Sequence, residues 1–279
     1  MTAGKKRILI GLLAGSMLLA SACGGAAAGG DGTVSETNTP DESYFKWDDY
    51  GENENIIIGL TEEGQKQKKL IIPARCEGFG GSVFAGSLQT ESVEFESSKD
   101  IVLSNAFMGS ETVKSVSLPE ELTTISDQAF SSAYALETIV IPEGVTQIGE
   151  DAFSDCQNLK EVVFQGQAVT ELGASAFSGC ESLAEVTLPD SITDIKDHCF
   201  YRCESLTALT LPKNVKTLDR LLLMRSAVKD IYIPAEAQME AVAEDALQTG
   251  KDTSVHVQSG SWAAERTDIW EGMGLTVVS

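Results

Sequence analysis

Phenylalanine recurs at a fixed interval along the middle of the chain. Phe84, Phe107, Phe130, Phe153, Phe177 and Phe200 are separated by 23, 23, 23, 24 and 23 residues, and Leu223 continues the series. A short apolar triplet keeps step with them: Leu70–Ile72, Val93–Phe95, Val116–Leu118, Ile139–Ile141, Val162–Phe164, Val186–Leu188, Leu209–Leu211 and Ile231–Ile233, with Val255–Val257 after them. Proline closes many of these triplets, at Pro73, Pro119, Pro142, Pro189, Pro212 and Pro234. A constant period of this length predicts a solenoid, in which each turn buries its apolar face only by stacking on its neighbours.

Each turn divides into three parts, clearest between Leu159 and Cys180. Val162 and Phe164 alternate with Val163, so they point to one face of a strand, the core face. A proline after the triplet lacks the N–H that a ladder needs and ends the strand. A second short run, Val169 to Leu172, brings two further apolar residues inward, and Ala176-Phe177 follows in a tight turn. The Phe rings are expected to stack from turn to turn, at about 4.8 Å per strand spacing. Three residues after each Phe stands a small side chain (Ser110, Ala133, Cys156, Cys180, Cys203), as a crowded bend requires.

These motifs resemble the BspA-like, or Treponema pallidum-type, leucine-rich repeat family, whose unit is close to L-x-x-V-x-L-P-x-x-V-T-x-I-G-x-x-A-F-x-x-C. The best copies run from Ala135-Leu136 to Cys156, Leu159 to Cys180 and Leu183 to Cys203. The resemblance implies a β-rich solenoid with a parallel ladder and short helical or 3-10 turns, and irregular end caps. It also implies a cell-surface protein that binds other proteins. The pattern weakens over residues 73–107 and at 219–227, where Leu-Leu-Leu-Met-Arg replaces Ala-Phe-x-x-Cys. Ala235 to Leu247 has helical apolar spacing and is expected to interrupt the ladder before Val255; Trp262 to Ser279 would then close the end.

Ahead of the repeats, Lys5, Lys6 and Arg7 precede the uncharged run Ile8–Ala22, the pattern of an export signal. Leu19-Ala20-Ser21-Ala22-Cys23 resembles a bacterial lipobox, which makes Cys23 the lipidated residue; an ordinary signal peptide cut after Ala22 and an uncleaved anchor are the competing readings. The organisation read from sequence is thus a signal peptide at 1–22, a lipidated Cys and flexible acidic tether at 23–53, repeats at 54–234 and a helix-and-strand cap at 235–279. Asp48, Asp49, Glu52 and Glu54 form a solvated acidic run without EF-hand spacing.

Charge narrows the partners. Lys plus Arg is 20 against 42 Asp plus Glu, a formal net charge of −22 over 279 residues. Removal of residues 1–22 takes three cations and leaves 257 residues at −25 (17 against 42). That balance excludes a nucleic-acid binder and electrostatic docking on anionic lipid, so membrane contact is expected only through the N-terminal lipid.

Little in the chain carries chemistry. With Cys23 assigned to lipid, five cysteines remain, an odd number, so they cannot all pair within one chain. Cys156, Cys180 and Cys203 share one repeat slot; buried inert thiols, a single disulfide and a metal or redox role are the alternatives. The two histidines, His198 and His256, lack a nucleophile-and-orienter pattern, and no phosphate-loop, dinucleotide or H-E-x-x-H motif occurs. No enzyme activity, cofactor or metal is expected.

What remains is the outward row of the first strand. Ser115, Thr138, Glu161, Glu185, Ala208 and Asp230 alternate with Ser117, Val140, Val163, Thr187, Thr210 and Tyr232. Of these, Ser115, Thr138, Glu161, Glu185, Asp230, Thr187, Thr210 and Tyr232 are the candidate ligand-binding lane, with Tyr232 as aromatic anchor. The function expected is an exported, lipid-anchored surface protein that binds a protein on a host, a neighbouring cell or the envelope. A structural spacer without a ligand and a carbohydrate-binding surface protein are the alternatives.

Overall fold

The computed structural model describes residues 39–48, 54–86 and 88–279. The signal peptide, Cys23 and most of the tether lie outside the described residues, as do Asp49 and Glu52. The rest is a β-solenoid with three hydrogen-bonded sides.

The front side is a parallel sheet built from the apolar triplets. Its first part joins Lys69–Ile72, Ser92–Phe95, Ser115–Ser117, Thr138–Ile141 and Glu161–Phe164. Its second joins Ala208–Thr210, Asp230–Ile233, Ser254–Val257 and Thr276–Val278. Register follows the repeat: Glu161 lies beside Thr138 and Val162 beside Ile139. The back side is a ladder of two-residue strands, Thr124–Ile125, Gln147–Ile148, Glu171–Leu172, Asp194–Ile195, Thr217–Leu218 and Ala241–Val242. One residue per strand faces the core, buried at Ile125, Ile148, Leu172, Ile195 and Leu218 and half-buried at Val242.

The third side carries the Phe turns. Its backbone forms a further ladder, in which Phe130 N–H donates to Ala152, Phe153 to Ala176 and Phe177 to Cys199, at 2.8, 2.8 and 2.9 Å. To aim these groups along the stack, the residue two before each of Phe130, Phe153, Phe177 and Phe200 takes a left-handed conformation, at Gln128, Asp151, Ser175 and His198. So does the residue two after it, at Ser132, Asp155, Gly179 and Arg202. Left-handed backbone favours glycine or short polar side chains, which most of these positions carry. The expected ring stack is present. Phe84 to Phe107 measures 4.7 Å and Phe107 to Phe130 4.8 Å between centroids, with planes within 8°.

The structure departs from the sequence reading at three places. Val186–Leu188 forms no strand, so the front sheet is interrupted there while the back and turn ladders run on. This segment follows the turn that combines an extra residue with Gln165-Gly166-Gln167 in place of the usual proline; the 24-residue interval from Ile231 to Val255 keeps Pro234 and its strand pairing. Val186 is only half-buried, unlike Val162 and Leu209, and the Phe177–Phe200 ring spacing has widened to 5.7 Å.

The helix expected over 235–247 does not form. Ala241–Val242 joins the back sheet, and Asp230–Ile233 pairs directly with Ser254–Val257, so the ladder is not interrupted. Met239, Ala246 and Leu247 are buried in the slots held one turn earlier by Val215, Leu222 and Leu223. The solenoid's own inward spacing of three and four residues imitates a helix. The helix of the cap is Thr267–Gly272, whose Trp270 is fully buried and donates from Nε1 to the Ala263 carbonyl at 2.9 Å.

At the other end, ordered chain begins before residue 54. A 3-10 turn at Glu42–Tyr44 leads into Phe45–Trp47, antiparallel to Ile56–Leu60, and Phe45 is buried in the core. An apolar Phe and Trp in this stretch give it a surface to bury, which a tether lacks.

Candidate functional site

The period-two reading of the front strands holds geometrically. Ser115, Thr138, Glu161, Glu185, Thr187, Thr210 and Tyr232 are exposed, and Asp230 is partly so. The inward neighbours Val116, Ile139, Val162, Leu209 and Ile231 are buried. The interruption at Val186–Leu188 divides the lane in two. The first patch spans Ser92 to Val163 and exposes Val140 and Val163; the second spans Ala208 to Val278 and exposes Tyr232 and Val278.

The second patch contains a cluster that the sequence reading missed. The rings of Tyr232 and His256 stack at 4.5 Å and 17°. Nε2 of His256 lies 2.7 Å from Oδ1 of Asp230. The ladder places His256 directly beside Tyr232 and Val278 beside His256. The signal was available in the spacing, since Val255–Val257 was already in phase with Ile231–Ile233. His256 holds Tyr232 on one face, and the ring's other face looks across Thr210, whose side chain is short.

A second missed feature borders the lane. Lys68, Glu91, Lys114, Glu137 and Lys160 stand one turn apart and alternate in sign. Lys114 Nζ meets Glu91 at 2.8 Å and Lys160 Nζ meets Glu137 at 2.8 Å. Hydrogen bonds from these ammonium groups, with their charge, hold both carboxyls below the usual range. The row ends at Lys160; the next position is Ala184, at the start of the interrupted segment. Opposite charges one turn apart favour the observed register and penalise a slip that would oppose like charges.

The described cysteines are all buried and free. Sγ of Cys156 donates to the Phe130 carbonyl at 3.0 Å, Cys180 to Phe153 at 3.2 Å and Cys203 to Phe177 at 3.3 Å. Each thiol thus adds a second hydrogen bond to a carbonyl in the preceding turn that already accepts from a backbone amide. Burial pushes Cys203 up to about 12 and Cys76 up to about 11, and raises Cys156, Cys180 and Cys199 as well. A raised pKa leaves the unreactive thiol form at neutral pH. Maleimide or iodoacetamide at pH 7.5 is therefore expected to label none of Cys156, Cys180, Cys199 and Cys203 in the folded chain, and all four in denaturant. Fast native labelling of any of them, read by mass spectrometry, would contradict the inert reading.

His198 occupies a left-handed turn position and packs edge-on against Tyr201 at 5.7 Å. Among the described residues, no group of three or more His, Cys, Asp or Glu side chains is placed to hold a metal ion. Trp47 lies under the Arg75 guanidinium, 3.4 Å from its ring centroid, and Trp262 under Arg266 at 4.5 Å.

The 23-residue turns, three ladders and central Phe stack define a leucine-rich repeat solenoid. The BspA-type leucine-rich repeat region matches in six copies, over residues 62–168 and 123–253, and the chain belongs to that family. Among solved structures, it is similar to a leucine-rich repeat protein from Bacteroides ovatus, with 21% identity and a TM-score of 0.56. That alignment covers 84% of this chain and 65% of the other, so the chain spans just under two thirds of that protein's length. It is also similar to the leucine-rich repeat protein of T. pallidum, with 20% identity, a TM-score of 0.52, and 87% and 98% coverage of this chain and that one. No curated protein matches the chain.

Proposed function

We propose that this chain is an exported, lipid-anchored, non-enzymatic surface protein whose front repeat face binds other proteins. The observation that carries the reading is the front face itself. It is a sheet surface several turns long that exposes Val140, Val163, Tyr232 and Val278 among hydroxyls and carboxylates. A stacked array offers such a surface without strain, because each turn contributes the same two outward positions. Tyr232, braced by His256, is the aromatic anchor, since aromatics supply much of the energy at interfaces. The carbohydrate reading ranks lower. Its usual platforms are open aromatic rings, whereas Trp47 and Trp262 lie under arginines and Trp270 is buried.

The anchor is assigned to Cys23 from the lipobox-like run. Replacement Cys23→Ala is expected to move the protein from the membrane fraction to the soluble extracellular or periplasmic fraction. Equal membrane retention of the variant after cell fractionation would defeat that assignment. The binding face is tested by capture of surface proteins on the full chain, with Tyr232→Ala and Glu185→Lys combined in the lane. Thr146→Lys with Thr170→Lys, exposed beside the back sheet, is the control. Capture unaffected by the lane changes would remove the front face from the function.

A further inference from the structure

The structure carries a groove that the repeat pattern does not account for. It opens beside the front strands Ser115–Ser117 and Thr138–Ile141 and holds about 700 Å³. That volume falls within the range of ligand pockets. Its floor is apolar, from Leu118, Val140 and Pro142, and its edge carries Glu120, Glu121 and Glu143. Ser117 and Thr138 add hydroxyls, and no Lys or Arg lines it. We propose that this groove takes a lysine or arginine side chain of a partner polypeptide. The proposal rests on the reading of the front face as a protein-binding surface and names the chemistry of the partner.

Three observations support a cationic occupant. The first is the state of the carboxylates. Glu121 accepts a hydrogen bond from Ser98 Oγ at 3.1 Å, whereas Glu120 and Glu143 form no ion pair among the described residues. Farther along the solenoid the corresponding turn residue is Asp190, and there the chain supplies its own cation, Lys213 Nζ at 2.7 Å. In the groove the charge of Glu120 and Glu143 has no such partner among the described residues.

The second is the sheet beside it. From Ser92 to Val278 the outward front positions include Glu94, Glu161, Glu185 and Asp230 and no Lys or Arg. Of the lysines on or bordering the front face, Lys68 and Lys114 lie by Glu91, Lys160 by Glu137, and Lys69 on the first front strand by Glu94, leaving Lys229 at the far patch. A cationic segment lying along the face therefore meets little repulsion, and an acidic one meets Glu161, Glu185 and Asp230.

The third is shape. A lysine or arginine has an apolar stem and a charged head, and it binds well where methylenes lie on apolar surface and the head reaches carboxylates. Val140, 42% exposed at the groove floor, provides the first and Glu120 and Glu143 the second. Gly166 keeps this edge closed up. A Cβ there would fall 2.7 Å from the Glu143 carbonyl oxygen and 2.8 Å from its Cγ, so any side chain would displace Glu143.

The test uses the full chain and a nine-residue peptide of glycine and valine with one central lysine, its amino terminus acetylated. A water-soluble carbodiimide couples the lysine amine to whichever carboxylate it contacts, and mass spectrometry reads the position. Coupling at Glu120 or Glu143 is expected to exceed that at Glu62 and Glu204, which are exposed on other parts of the surface, by about tenfold or more. In equilibrium titrations, Glu120→Gln with Glu143→Gln should weaken the peptide about tenfold, and Gly166→Ala should weaken it while leaving every charge in place. A peptide with Nε-acetyl-lysine should bind no better than one with glycine at that position. Coupling that simply follows exposure, or unchanged binding in the double Gln variant with an unaltered melting curve, would overturn the proposal. If protein capture depends on the lane yet ignores Glu120 and Glu143, the groove assignment alone fails. If the lysine peptide couples in the groove while capture ignores the lane, it is the wider reading of the front face that fails.

Discussion

Replacing Phe153 by alanine is expected to cost about 3–5 kcal/mol, the range for deleting a buried aromatic ring. The ring is fully buried and lies between Phe130 at 5.1 Å and Phe177 at 5.3 Å, with all three planes within 8°. The usual relief for a cavity is collapse of the surroundings. Here that route is blocked, because three backbone ladders fix the distance between neighbouring turns. The Phe130 and Phe153 amides are themselves bonded to the next turn at 2.8 Å, so moving a ring inward would break them. A solenoid's stability is a sum of turn and neighbour terms, so the loss should spread to the turns on either side. Chemical denaturation measures the cost, and hydrogen exchange should show the amides of Phe130 and Phe177 less protected than that of Phe107. An unchanged midpoint would show that the stack contributes little beyond its place in the turn.

Much of this architecture was legible because the period is so regular. The Phe series, the triplets and the small slot after each Phe all follow from one interval, and each corresponds to a side or corner of the turn. The failures have physical causes. Apolar residues at Met239, Val242, Ala246 and Leu247 repeat at three and four residues, the same spacing that one face of a helix shows. Only their phase relative to Val215, Leu218, Leu222 and Leu223 distinguishes the two. The left-handed positions were invisible because Gln128, Asp151, Ser175, His198 and Leu221 share no side-chain chemistry; what they share is backbone conformation. The interrupted front segment had a visible mark, an extra residue together with the missing proline near Gly166, but hydrogen-bond loss at Val186–Leu188 is a geometric consequence that a pattern of residue types does not encode.

The candidate site was read less completely than the fold for a related reason. Alternation tells which side chains point outward, and all of the lane residues do so at least in part. It does not tell what those side chains meet. The Tyr232–His256–Asp230 cluster arises from residues in two adjacent strands, and the groove at Glu120 and Glu143 from turn residues in different copies. Both require the alignment of neighbouring turns as well as the face of each strand.

Tyr232→Ala combined with Glu185→Lys is expected to abolish capture of a protein partner while leaving the fold intact. Tyr232 is 43% exposed and pairs with Thr210 and His256 on a sheet surface, so its removal opens no cavity. Glu185 is exposed on the interrupted segment, where no strand pairing depends on it. An aromatic anchor at an interface is typically worth about 2 kcal/mol or more, close to a thirtyfold change in affinity. Loss of Tyr232 also frees His256 from its stacked neighbour, although the contact of His256 with Asp230 remains. The reversed charge at residue 185 places a cation midway along a lane that otherwise holds none, and a basic partner is then repelled where it was attracted. Because the two patches flank residue 185, a partner spanning both should respond to each change, and the double variant should lose more than either alone. Thr146→Lys with Thr170→Lys adds charge of the same sign beside the back sheet and should leave capture unchanged. Loss in both variants together with a lowered melting temperature would indicate instability of the array; full capture by the lane variant would exclude the front face as the binding surface.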